Sequence, residues 1–91
     1  MLLVKIRIIV KKKPAVLDVE GKTISKSLNE LGFDEVFNCT KGIVIDVEAQ
    51  QSILLEKHSP NLPEAIEKFV ALACKKLLVN EIIESYEYFV I

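Results

Sequence analysis

Leu17-Asp18-Val19-Glu20-Gly21-Lys22-Thr23-Ile24-Ser25-Lys26-Ser27-Leu28-Asn29-Glu30-Leu31-Gly32-Phe33 contains a whole helix and both of the signals that bound it. Asp18 is a favoured N-cap, because its carboxylate can accept from unpaired first-turn amides and meets the positive end of the helix dipole. Gly32 follows the last apolar residue, where a left-handed conformation ends a helix without a side-chain clash. The helix is therefore expected over residues 19–31. Leu17, Gly21, Ile24, Leu28 and Leu31 recur at spacings of three and four and form one stripe, with Lys22, Lys26, Asn29 and Glu30 on the remaining surface. A glycine in that stripe costs roughly 1 kcal/mol of helix propensity relative to alanine, so Gly21 suggests that another backbone passes close to the first turn.

Met1 to Val10 sets Leu2, Val4, Ile6, Ile8 and Val10 on one side and Lys5 and Arg7 on the other, the pattern of a strand with one wet face. Lys11-Lys12-Lys13-Pro14 ends it, as a solvated loop or as a contact for an anion or a partner. Beyond the helix, residues 34–40 and 43–48 read as a hairpin turning at Lys41-Gly42, with Ile43, Ile45 and Val47 facing inward. Residues 49–61 read as a long connection that carries Ile53-Leu54-Leu55 and His58. The lone His58 has no nucleophile or metal-ligand spacing around it and reads as an exposed polar residue. Asn61 and Glu64 have a capping-box spacing with Pro63 in the first turn, so a second helix is expected over 62–79, ended by a left-handed Asn80. Its inward stripe is Leu62, Ala65, Ile66, Phe69, Val70, Ala73 and Leu77, but Leu72, Leu78 and Val79 widen the apolar arc beyond what one sheet face can cover. Residues 83–91 alternate as a strand with two fairly apolar faces.

The order strand, helix, strand, strand, helix, strand gives an α+β fold: a single βαββαβ domain over residues 1–91, with two helices on one face of a mostly antiparallel sheet. A chain of 91 residues with 51% hydrophobic content can bury only about 60–65% of its unfolded surface alone, which favours an oligomer. A net charge of −1 argues against nucleic acid, which rewards clustered positive charge. Residues 41–47 also lack the aromatic side chains that an RNA-recognition strand uses for stacking. No apolar run reaches the roughly 20 residues of a membrane span, and the lysine-bearing start does not read as a secretory signal, so a cytoplasmic protein is expected. Cys39 and Cys74 are far apart and read as free structural thiols. The chain has no phosphate-binding glycine motif and no nucleophile–base or metal-ligand constellation, so no catalytic, cofactor-binding or metal residue is assigned.

Two segments carry a resemblance to a known family. Residues 17–33 fit L-D-x-x-G-K-x-[IV]-x-x-x-L-x-x-L-G-[FY], and Cys74-Lys75-Lys76-Leu77-Leu78-Val79-Asn80-Glu81-Ile82-Ile83-Glu84-Ser85-Tyr86-Glu87 fits C-x-K-L-L-x-N-x-x-I-E-x-Y-E. Together and in this order they resemble the small PurS subunit of phosphoribosylformylglycinamidine synthase. Val19 and Glu81 stand where that family usually has proline, Cys39-Thr40-Lys41-Gly42 where an arginine before Gly-Lys is common, and a longer stretch separates the third expected strand from the second helix. The resemblance implies a non-catalytic, oligomeric subunit that bridges a glutaminase and an ATP-dependent synthetase. It further implies a role in assisting ammonia transfer as formylglycinamide ribonucleotide is converted to formylglycinamidine ribonucleotide. No cofactor would bind this chain; ATP and Mg²⁺ would sit in the synthetase partner. Asp18, Gly21, Lys22 and Tyr86 are the expected partner or assembly contacts. The alternative, from topology, is a regulatory domain that binds a small metabolite at a dimer interface, with Asp18 and Gly21 as conceivable ligands.

Overall fold

In the computed structural model, which describes all 91 residues, a central strand organises the chain. Strand β1, Leu3–Lys12, is followed by helix α1, Val19–Glu30, and strand β2, Gly42–Gln50. A short helix α2, Gln51–Lys57, leads to α3, Leu62–Ala73, which continues into a π-helical turn, Cys74–Leu78, before strand β3, Glu84–Val90. The sheet has the order β2-β1-β3, and both pairings are antiparallel.

The register explains the core. Val4, Ile6, Ile8 and Val10 share one face of β1, opposite Ala49, Val47, Ile45 and Ile43 of β2. Tyr88 and Tyr86 of β3 lie opposite Ile8 and Val10. Residues two apart in a strand point the same way, so this register gathers branched side chains on one side, and Ile6 and Ile8 are 0% exposed. Leu54 of α2, Ala65, Ile66 and Val70 of α3, and Cys74 and Val79 cover that face.

The α+β class and the antiparallel sheet agree with the sequence, but the element order is βαβααβ rather than βαββαβ. Residues 34–40 form no strand, and β2 takes the edge of β1 instead. Asn29 holds this stretch against α1, its side-chain amide donating to the carbonyls of Phe33 and Val36 at 2.9 and 3.1 Å. Gly42 is not in a positive-φ turn; it opens β2 opposite Lys11, where a Cβ would come within 2.7 Å of the Val10 carbonyl oxygen. The connection expected at 49–61 contains α2, anchored by the Gln51 amide on the Leu2 carbonyl at 3.0 Å and by buried Leu54.

The bounds of α3 follow its caps. The Glu64 amide donates to Asn61 Oδ1 at 3.3 Å, while the Glu64 carboxylate accepts from Ser59 Oγ at 3.2 Å instead of returning to Asn61. At the other end the Val79 amide donates to the Cys74 carbonyl five residues back, at 3.0 Å. The wider turn rotates the face by a residue, so Leu78 packs on the core and Leu77, expected inward, is 84% exposed. Asn80 does not adopt the left-handed conformation expected of it; its amide donates to Glu84 Oε1 and its side chain accepts from the Ile82 amide.

A further departure concerns α1, which was expected to share the sheet face with the second helix. None of its side chains belongs to the core, because α2, α3 and the π turn already fill that face. Leu17, Val19, Ile24 and Leu31 are left exposed. The molecule is correspondingly elongated, 53 × 26 × 16 Å with a radius of gyration of 17.1 Å, against about 12 Å for a compact chain of this length.

Candidate assembly and docking surface

The first turn of α1 is the most tightly built feature outside the core. Asp18 accepts from the Gly21 amide through Oδ1 at 2.9 Å, as an N-cap should, and from the Lys41 amide through Oδ2, also at 2.9 Å. One carboxylate thus caps the helix and ties down the returning chain. These two amides, Gly21 first and then Lys41, hold the Asp18 carboxyl below its ordinary value, helped by the positive charges of Lys12 and Lys41. Lys41 Nζ closes the same corner on Glu20 at 3.1 Å.

Gly21 sits beneath this strap. A Cβ there would overlap the Cys39 backbone carbonyl, which is the close approach that its place in the apolar stripe implied. Gly21 and Ser25 are the two buried residues of α1, and Gly21 lies directly under the strap that runs back from Gly32 to Lys41. Gly32, at φ 98°, makes the reversal; the Phe33 amide reaches the Leu28 carbonyl at 3.0 Å and closes the helix end.

Lys22 projects from the same turn into a cleft of about 390 Å³ that also takes in Lys11, Lys12, Lys13, Asp18 and Thr40. The structure therefore joins three of the four expected contact residues, Asp18, Gly21 and Lys22, in one corner. It separates the fourth. Tyr86 pairs with Val10 and packs half-buried against the core, where burial, and next the neighbouring Cys74, push its phenol above the ordinary value. Lys11, Lys12 and Lys13, whose unbroken charge run offered an anion or partner contact as one of its readings, join this corner, a grouping with Asp18 and Lys22 that the sequence reading did not make.

Two large apolar surfaces lie open. One is the stripe of α1, and the other is the outer sheet face, where Leu3, Val44 and Phe89 are exposed beside the Arg7–Asp46 pair, whose Nε–Oδ1 distance is 2.9 Å. In all, 18 large hydrophobic residues are exposed, as many as the 10 buried core residues and the eight partly buried ones packed on them together, so one copy leaves much of its apolar surface open. Candidate reactive groups do not gather. The Cys74 thiol is buried, and burial pushes its pKa up, which disfavours the thiolate; His58, expected to be an exposed polar residue, lies half-buried edge-on to Phe69 at a ring-centroid distance of 5.9 Å. No helix is long and apolar enough to cross a membrane.

Comparison with known proteins gives this architecture its relatives. The chain is 36% identical to phosphoribosylformylglycinamidine synthase subunit PurS of Methanocaldococcus jannaschii over 83 residues, covering 91% of this chain and 89% of that protein. The crystal structure of M. jannaschii PurS, one of the subunits of formylglycinamide ribonucleotide amidotransferase in the purine biosynthetic pathway, matches with a TM-score of 0.78 at 34% identity. That match covers 99% of this chain and 96% of that one. A chain in the structure of PurLQS from Thermotoga maritima matches with a TM-score of 0.64 at 31% identity, over 100% of both chains. With the family model for PurS, phosphoribosylformylglycinamidine (FGAM) synthase, matching residues 5–91, the chain belongs to the PurS family.

Proposed function

We propose that this chain is the small subunit of FGAM synthase in purine biosynthesis, bridging the glutaminase and the ATP-dependent synthetase and assisting ammonia transfer between them without catalysing a step itself. The observation that carries this reading is the match along the full length of both chains to a component of PurLQS, an assembly of several subunits. The open apolar faces of the isolated chain support it, since large exposed apolar patches mark surfaces that other subunits cover. The inert setting of Cys74 suits a subunit whose neighbours do the chemistry. In that division of labour the nucleophile for glutamine hydrolysis belongs to the glutaminase, and ATP and Mg²⁺ belong to the synthetase. The place of work is the cytoplasm.

Reconstitution with purified synthetase and glutaminase tests the proposal. Omitting this chain should lower glutamine-dependent synthesis more than about tenfold, equivalent to ~1.4 kcal/mol of barrier, while synthesis from added ammonium should fall much less. The isolated chain should show neither glutaminase nor ATPase activity. An undiminished glutamine-dependent rate without it would remove the proposal.

A further inference from the structure

The cleft beside Asp18 concentrates charge in a way that the rest of the molecule does not. Lys11, Lys12, Lys13 and Lys22 surround one aspartate in a chain whose net charge is −1. The ion pairs of the structure are Arg7–Asp46, Lys41–Glu20 and Lys68–Glu64, so none of the four cleft lysines forms a direct ion pair within the chain, and Lys12 alone of the four acts at longer range on Asp18. The charge of Asp18 is already directed at the Gly21 and Lys41 amides. Like charges crowded at a fixed corner repel one another, and an external anion relieves that cost.

We propose that this cleft docks an acidic segment, rich in Asp and Glu, of a partner subunit; the inference rests on the subunit reading above. The lining chooses this anion over a small phosphate compound. The Asp18 carboxylate already sits over the positive end of α1 and takes the Gly21 amide, the Lys22 amide closes on the Asp18 carbonyl, and no aromatic side chain lines the cleft to stack a base. The four cations are lysines, hydrated point charges on flexible stems, which suit several separate carboxylates better than one planar bidentate group. Each wall is pinned in place, the lysine run by the Lys13 amide donating to the Ile83 carbonyl at 2.9 Å and the α1 side by the Lys41 amide donating to Asp18. A prearranged positive cleft of this kind raises association rates and selects orientation.

The test measures association of the full chain with the purified synthetase and glutaminase at about 50 and 300 mM salt, where screening differs strongly. Combined replacement Lys11→Glu, Lys13→Glu and Lys22→Glu, all at exposed positions, should slow association at least about tenfold at low salt and flatten its salt dependence. The matching glutamine triple should fall between this variant and the parent, with melting temperature as the check on folding. Lys75→Glu with Lys76→Glu, exposed in the π turn outside the cleft, should stay within about twofold of the parent. Parent-like association and salt dependence in the Glu triple would overturn the inference and leave the subunit reading standing, as would an equal loss in the Lys75/Lys76 control. Saturable micromolar binding of pyrophosphate to the free chain, abolished in the Glu triple, would assign the cleft to a small anion and also overturn it. A parent chain that joins neither partner removes the subunit reading and this inference together.

Discussion

At the scale of single residues, Gly21 and Asp18 make opposite demands on substitution. Gly21→Ala gains roughly 1 kcal/mol of helix propensity but sets a methyl against the Cys39 backbone, which cannot swing aside as a flexible side chain would; a clash of about 1–3 kcal/mol prevails. The denaturation midpoint should therefore fall, and fall further for Gly21→Leu; a raised midpoint would show that the strap yields freely. Asp18 acts through charge. Its folded pKa lies below the unfolded value near 3.8, so the folded state favours the ionised form. The stability it contributes is fully present above the unfolded pKa and is lost as pH falls through the folded value. Urea midpoints measured from pH 6 down to pH 2 should drop less steeply for Asp18→Asn than for the parent, and equal slopes would show that the two amides do not favour the carboxylate.

At the scale of elements, the two longer helices should answer mutation differently. Ile66 of α3 is buried in the core, and Ile66→Ala should cost about 2–5 kcal/mol in a urea denaturation series. Ile24 of α1 is exposed in a single copy, so Ile24→Ser should change monomer stability by less than about 0.5 kcal/mol and act instead on assembly, seen as a shift in the midpoint of a dilution series. Equal losses of stability in the two variants would mean that α1 shares the core. How far these elements were legible follows from the range of their signals. Asp18 as helix cap and Gly32 as helix stop are governed by neighbours a few residues away and could be read from the sequence alone; the place of Gly21 in an apolar stripe signalled a close backbone, but not that Cys39 would supply it or that Asp18 would also hold Lys41. The strand pattern at 34–40 was misread because local periodicity does not say which backbone supplies the ladder, and β1 supplied it to β2. Helix α2 escaped because its seven residues show too little of a helical period, and Leu77 was turned outward by one wide turn that no residue type announces.

At the scale of the whole molecule, the exposed stripe of α1 and the open sheet face predict self-association. Light scattering at micromolar concentration should give at least twice the chain mass of 10.3 kDa, and a strictly monomeric mass would count against cover by a second copy. The elongated outline follows from the pairing of Lys11 with Gly42, which brings together the two points where the chain leaves the sheet and rejoins it. In topological terms β1 and β2 are the legs of a β-hairpin, and everything between them is an insertion of about thirty residues with its own cap, helix and strap. Excising it and closing Lys11 to Gly42 with a two-residue Asn-Gly turn would recover roughly 2 kcal/mol of loop-closure entropy, leaving the β1–β2 ladder intact and removing from the β1–β3 ladder only its last pair, Lys12 with Glu84. The inserted module can therefore be exchanged, redesigned or lost without unravelling the sheet that presents it.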